Sequence, residues 1–349
     1  ADGPGTVVQL QQGTYLIGFM EICEFFGTIR GAGKGKTIIK PVGALPCEAE
    51  LAKSAAVSLI TFIGGEVSIE NLSFRVDDGK VCSTDAGYGG DLYILLKFTD
   101  RLHNTYIPEK IYCKGDIRNV EFAGGHDDAG TSPLYNILCA IWQGFDFGVP
   151  AGEERSNVDL KVANCSFTSY MVGIDVAGLG NGRMMYSNNS FSDSDCALFI
   201  FDNINVTGLI TQNSFSGHNW YDIVIDDTDY GLYGFYAYHP PEKVSTYRIS
   251  NNQFFTSRTD GAYIYPYGAS MYLMDQRRSL HPDENMAMRF FVENNRINLS
   301  NGANGIVGLN NRDAMLVANK VSGTGTTGIS LNGTSADIMS SNNKVLGNN

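Results

Sequence analysis

The 349-residue chain lacks any run of about 18 uninterrupted apolar residues, so no membrane-spanning helix is expected. Its seven cysteines include no CxxC pair, which argues against a zinc ribbon or a thioredoxin-like site, and buried thiols are the expectation. Positive charge is short: 25 Lys and Arg stand against 37 Asp and Glu, a net charge of −12. Nucleic acid is therefore not expected as a partner, because its binding is driven by neutralising phosphates. Only 10 prolines accompany 40 glycines, which suits a chain with many tight turns rather than a low-complexity one. The chain starts ADGPG, without Met, so a targeting segment is expected to have been removed or never present. GAGKGKT at 31–37 has Arg30 where a phosphate loop needs its first glycine, and HExxH, GxSxG and EF-hand patterns are missing.

What is present is a repeat. YSNNSF at 186–191 returns as NCSF at 164, QNSF at 212, NNQF at 251, NNRI at 294, ANKV at 318 and NNKV at 342. Taking the closing apolar residue as a mark gives Phe74, Phe98, Phe122, Phe167, Phe191, Phe215, Phe254, Ile297, Val321 and Val345. Six of the nine steps are 24 residues; the others, 45, 39 and 43, exceed the period by insertions. A fixed period in the twenties signals one supersecondary unit stacked on copies of itself, and the leucine-rich pattern is absent.

Positions five and four before each mark alternate between apolar and polar, as in Tyr186 and Ser187 or Ile210 and Thr211, which is strand periodicity. A second strand follows each mark, as in GIDV at 173, ALFIF at 197, DIVI at 222 and GISL at 328. Parallel strands stacked one per turn, ~4.8 Å apart, form a parallel β-helix. The segment PCEAELAKSAAV at 46–57 is expected as a short helix or an inserted loop. Asn189, Asn213, Asn252, Asn295, Asn319 and Asn343 stand two before consecutive marks, with Cys165 continuing the column; at a bend they would form an asparagine ladder.

The GIxLxGxxxxIxxNxV cadence of residues 328–345 resembles the right-handed parallel β-helix repeat of the pectate-lyase-like superfamily, and GTIRGAGKGKTII at 27–39 is similar to its N-terminal turns. The resemblance implies an all-β, single-stranded right-handed parallel β-helix solenoid and a bias toward polysaccharide lyases, hydrolases and esterases. The NTD, GHG and RIK signatures of polygalacturonases and the WIDH of pectate lyases are absent. The expectation is one domain over 1–349, with N-terminal turns and a cap region in 1–60 and long loop insertions in 220–290.

Those late insertions lie in neighbouring turns, so their loops would emerge side by side and wall a groove. They carry Tyr233, Tyr236, Tyr238, His239, Tyr265, Tyr267 and Arg277, with Arg248 between them; aromatic faces suit pyranose rings. Asp202 lies 11 residues after Phe191 and Asp226 lies 11 after Phe215, which would put both in one column, with Asp227 adjacent and Asp175 one turn earlier. Stacked carboxylates either raise one pKa, giving an acid and base for glycoside hydrolysis, or recruit Ca²⁺, with Arg248, Lys243 or His239 as base for elimination. No resident metal or cofactor is otherwise expected. The expected partner is a polysaccharide or glycan and the expected location extracellular or periplasmic. The alternative is a non-catalytic, virus-tailspike-like or adhesin-like β-helix, a monomer in the enzyme case and a trimer in the tailspike case. The chain ends four residues after its last mark, so its end turn is expected to be covered by further chain or another subunit.

Overall fold

The computed structural model describes residues 5–42, 57–76, 93–100, 112–124, 138–144, 157–201, 203, 205–218, 220–226, 244–257, 268–274, 288–309, 313–332 and 338–347. Among them there is no helix, and every strand pair is parallel and joins one turn to the next. One continuous array of pairings runs from Thr6 to Gly347, a parallel β-helix as the 24-residue period implies and right-handed as the resemblance implies. Segment 46–56 lies outside the described residues, and so do Cys47 and Cys82.

Each turn contributes three strands. A front strand such as Cys196–Phe201 is followed by a second such as Thr207–Thr211, then a short third such as Ser214–Ser216. Early in the chain one unbroken strand, Val57–Arg75, crosses all three sheets. It bends at Gly64 and Gly65, φ 69° and 88°, and at Asn71, φ 58°.

The doubled asparagine has a division of labour at the corner between the second and third sheets. The residue ahead of each ladder asparagine takes the left-handed conformation: Asn188 at φ 55°, Gln212 at 58°, Asn251 at 58°, Asn294 at 55°, Ala318 at 55° and Asn342 at 53°. Asparagine tolerates this region better than most residues with a side chain. The second residue turns inward and joins the ladder. Asn189 Nδ2 donates to Asn213 Oδ1 at 3.0 Å, Asn213 to Asn252 at 3.1 Å, Asn252 to Asn295 at 3.0 Å, and Asn295 to Asn319 and Asn319 to Asn343 at 2.9 Å each. Each Oδ1 also accepts the backbone N–H of the preceding ladder residue, and each Nδ2 donates to a main-chain carbonyl, as Asn252 does to Ile210 at 2.9 Å. Cys165 ends the column by donating its N–H to Asn189 Oδ1 at 2.9 Å. Neutral amides are thereby buried with their hydrogen-bonding capacity used, which removes most of the cost of burying them.

The mark residues stack along the interior. Phe74, Phe122, Phe167, Phe191, Phe215 and Phe254 follow one another with ring centroids 4.6–5.4 Å apart and planes within 9° of parallel. Burying each ring contributes roughly 1.5–3 kcal/mol, and stacking adds about 0.5–1.5 kcal/mol per pair. Phe98 is an exception to the sequence reading. It pairs with Phe62 in the front sheet and stacks on it at 5.3 Å, whereas Phe74 pairs directly with Phe122. Two apparent steps of 24 are thus one turn of 48 residues, lengthened by inserted chain, and Phe98 fell on the period by coincidence. Cys113, Cys139, Cys165 and Cys196 are buried free thiols, while Cys23 is exposed and free.

Candidate functional site

The front sheet is built differently from the other two. Its strands include Tyr93–Thr99, Leu138–Gly144, Val172–Ala177, Cys196–Phe201, Tyr221–Asp226, Ala269–Met274 and Asn304–Leu309. Alternate residues point into the coil, as Ile174, Leu198, Ile223 and Met271 do. The residues between them belong to a second, outer apolar cluster, which takes in Cys139, Trp142, Val172, Cys196, Tyr221, Val224 and Ala269, with Phe199, Phe201, Trp220 and Tyr272 packed on it. A sheet face turned away from the core usually carries polar residues. Here it is apolar, which explains why strands such as ALFIF read as continuous hydrophobic runs rather than alternating ones.

The register orders this outer face. Lys97, Trp142, Asp175, Phe199, Val224, Tyr272 and Val307 form one column, a residue per turn. Two residues further along run Ala177, Phe201, Asp226 and Met274. Phe199 and Phe201 lie 5.2 Å apart, and so do Tyr221 and Tyr272.

Asp175 stands between an indole and a phenyl ring in the first column. Only 6% of the residue is exposed, and its Oδ1 has no hydrogen-bond partner. Burial pushes its carboxyl well above the usual range, against which a hydrogen bond from the Val176 N–H acts weakly. The thiols of Cys139 and Cys196 on the flanking strands are also driven up by burial, so they hold their protons and place no charge beside Asp175.

Inside the coil, at the corner where the third sheet meets the front, a second polar group breaks the apolar interior. His218 Nδ1 lies 2.5 Å from Asp222 Oδ1; Thr256 Oγ1 donates to Asp222 Oδ2 at 2.5 Å and lies 2.5 Å from Ser270 Oγ. All four residues are buried, and His218 Nε2 has no partner.

Of the candidate site residues singled out in the sequence, Asp175, Asp226 and Arg248 are described. Asp226 is buried on the front sheet, but it pairs with Phe201 and Met274, not with the residue that follows Phe201. The link from Phe215 to Tyr221 is one residue longer than that from Phe191 to Cys196, so counting from the marks slips by one position and the shared column of Asp202 and Asp226 is corrected. Arg248 lies on the second sheet, where it pairs with Leu209 and Phe291, stands 5.4 Å over the Phe291 ring and reaches Glu293 at 3.8 Å. The structure does not bring it to Asp226. Asp202, Asp227, Tyr233, Tyr236, Tyr238, His239, Lys243, Tyr265, Tyr267 and Arg277 lie outside the described residues. So do two of the three aspartates of the expected Ca²⁺ cluster, and among the described residues no three His, Cys, Asp or Glu gather as a metal site. The sequence reading missed the outer roles of Lys97, Trp142, Phe199 and Phe201; the unalternating runs were the available signal.

No family model matches the chain, and no curated protein does. Solved structures do share its fold. It is similar to the Dettilon tailspike protein, with TM-score 0.56 and 11% identity over 98% of this chain and 56% of that one. It is also similar to the GH136 lacto-N-biosidase of Eubacterium ramulus, with TM-score 0.51 and 11% identity over 100% of this chain and 57% of that one. A looser likeness, TM-score 0.42 at 13% identity, reaches the A-module of the mannuronan C-5 epimerase AlgE6 from Azotobacter vinelandii, over 98% and 91% of the two chains. The chain spans a little over half the length of the tailspike and of the biosidase. The class these likenesses define is the right-handed parallel β-helix. Among the described residues no helix is long and apolar enough to cross a membrane.

Proposed function

We propose that the chain is an extracytoplasmic carbohydrate-active β-helix protein, a polysaccharide hydrolase or lyase, that lays a glycan across its front sheet. The outer aromatic column carries this reading. Phe199 and Phe201 on one turn and Tyr272 two turns on are partly exposed on one face, beside the buried Trp142, Asp175 and Asp226. Repeated rings suit the apolar faces of successive sugars, and carboxyl groups between them suit hydroxyls or a scissile bond. The lacto-N-biosidase that shares the coil supports a glycan ligand. Asp202 and Asp227, next in sequence to Phe201 and Asp226, and the tyrosines of 227–243 and 258–267 extend the same site in this reading.

As an enzyme, the protein would be a single-domain monomer. A second reading, a tailspike-like glycan-binding stalk that assembles as a trimer, is favoured by the scarcity of charge on the outer face, where Lys97, Asp175 and Asp226 are the acidic and basic residues in the two described columns and burial disfavours the charged form of Asp175. The test is a panel of polygalacturonate, alginate, xylan and β-glucan, scored for reducing ends and for the absorbance of unsaturated uronates. Reducing ends alone identify a hydrolase, and added absorbance a lyase. Retention of a polysaccharide without either product supports the stalk, and indifference to every polymer overturns both readings.

A further inference from the structure

On the outer face of the second sheet the coil sets charge against opposite charge from one turn to the next. Arg30, Glu70 and Arg118 form one column, and Glu66, Lys114, Asp159 and Arg183 another, so each cation meets an acid on an adjoining strand. Further on, Arg289 pairs with Asp313. The third sheet breaks this rule. Arg296, Lys320 and Lys344 follow one another there in a single column, ~4.8 Å apart, with no acid between them. All three are exposed, and among the described residues none has an ion-pair partner. The described acids of these turns, Glu293 and Asp313, lie on the second sheet and are engaged already, by Arg248 at 3.8 Å and by Arg289 at 2.6 Å. Like charges opposite one another on adjacent strands are destabilising. A chain with net charge −12 has acids to spare, so composition does not account for the unbalanced column.

We propose that this column is a docking site for an anionic glycan, a polysaccharide bearing carboxylate or sulfate groups that runs along the coil axis and sets successive acid groups against Arg296, Lys320 and Lys344. The site is on the third sheet, apart from the front-sheet site, and it holds polymer without cutting it. Arg296 can offer two parallel N–H donors to a carboxylate or sulfate, while each lysine acts as a point charge with three donors. One exposed ion contact is weak. Three contacts to a single polymer act together, because the first raises the local concentration of the next acid group.

The neighbouring column favours a sugar polymer over a nucleic acid. Phe255, Asn298 and Ser322 stand there in register, two residues beyond the cationic positions. Phe255 is 48% exposed, so its ring is open to the apolar face of a pyranose. Ser322 Oγ donates to Asn298 Oδ1 at 2.8 Å, which leaves the Asn298 Nδ2 for a sugar hydroxyl. A nucleic acid carries a denser row of phosphates than three cations neutralise, and the net charge of the chain repels it.

The experiment measures binding of the full chain to immobilised polygalacturonate, dextran sulfate, fully methyl-esterified homogalacturonan and single-stranded oligothymidylate, at low and at physiological salt. Wild type is compared with the triple variant Arg296→Gln, Lys320→Gln, Lys344→Gln, and with Lys114→Gln, Arg118→Gln, Arg183→Gln, which removes as many cations from the second sheet. Wild type should hold polygalacturonate or dextran sulfate, pass over the uncharged ester, and bind more weakly as salt rises. The third-sheet variant should lose about tenfold in affinity and the second-sheet variant less than about threefold. Preference between the two acidic polymers identifies carboxylate or sulfate as the group read. The third-sheet variant should keep the circular dichroism of wild type and a thermal midpoint no lower, since it relieves stacked like charges. Failure of wild type to bind either acidic polymer overturns the assignment. Equal weakening by both variants does so too, because net charge alone then explains the binding, and so does tighter binding of oligothymidylate than of either glycan. A protein that retains acidic polymer and cuts none would sink the enzyme reading of the front sheet and leave this site standing.

Discussion

At the short corner between the second and third sheets, Asn252 is fully buried and both polar atoms of its amide are engaged: Oδ1 by Asn213, Nδ2 by Ile210 and Asn295. On the front sheet Asp175 is nearly as deeply buried and leaves Oδ1 empty-handed. The ladder is a polar column that a coil can extend without limit, because each turn supplies the acceptor that the previous one needs. Asp175 has no counterpart above or below, where Trp142 and Phe199 stand. The first arrangement adds stability with every turn, and the second costs stability at one place. Residues that cost stability in an otherwise repetitive scaffold are where function is best sought. His218 is intermediate, with Nδ1 held by Asp222 and Nε2 unpaired.

The contrast can be broken at its strongest point first. Asn252→Ala should lower unfolding free energy by about 3–5 kcal/mol in urea titration, because it strands donors and acceptors on two adjacent turns. Asp175→Asn should act the other way at neutral pH. Burial raises the folded-state pKa of Asp175 above its unfolded value, so its contribution is fully present below the unfolded value and is lost as pH rises toward the folded one. Across that window wild type should lose stability relative to the variant by up to about 1.4 kcal/mol per pH unit, as read from urea midpoints at pH 4 and pH 7. If the two proteins titrate in parallel, Asp175 is not an unsatisfied buried acid.

Cys165→Asn should sharpen the comparison by extending the ladder one turn. The Cys165 thiol already points at the Ile117 carbonyl at 3.7 Å, the direction in which a ladder Nδ2 would donate. A gain of about 1 kcal/mol is expected, visible as a higher thermal midpoint. Arg289→Ala removes an ion pair to Asp313 at 2.6 Å, but both side chains are largely solvated, and a change under about 0.5 kcal/mol is expected by the same measurement.

The ladder and the phenylalanine stack were legible because a coil converts sequence period directly into contact: residues 24 apart, such as Asn189 and Asn213, touch. Legibility failed where length varied. Phe98 kept the period while belonging to another sheet, since all three strands of a turn share one repeat and period alone cannot tell them apart. Asp226 was displaced by the single extra residue between Phe215 and Tyr221, and in a strand one position reverses the side on which a residue lies. The candidate site was the least legible part. Trp142 and Phe199 become neighbours of Asp175 only through the register, and the raised pKa of Asp175 comes from apolar surroundings drawn from three separate turns.

The left-handed residue ahead of every ladder asparagine makes that corner the same length in each turn, from Asn71 and Asn119 through Asn342. Gain and loss of chain are thereby channelled to the other two bends, which open on either side of the front sheet. A gene encoding such a protein can duplicate or excise a whole 24-codon unit, from one asparagine pair to the next, and the product still closes turn upon turn; the length of the coil becomes adjustable in increments of ~4.8 Å.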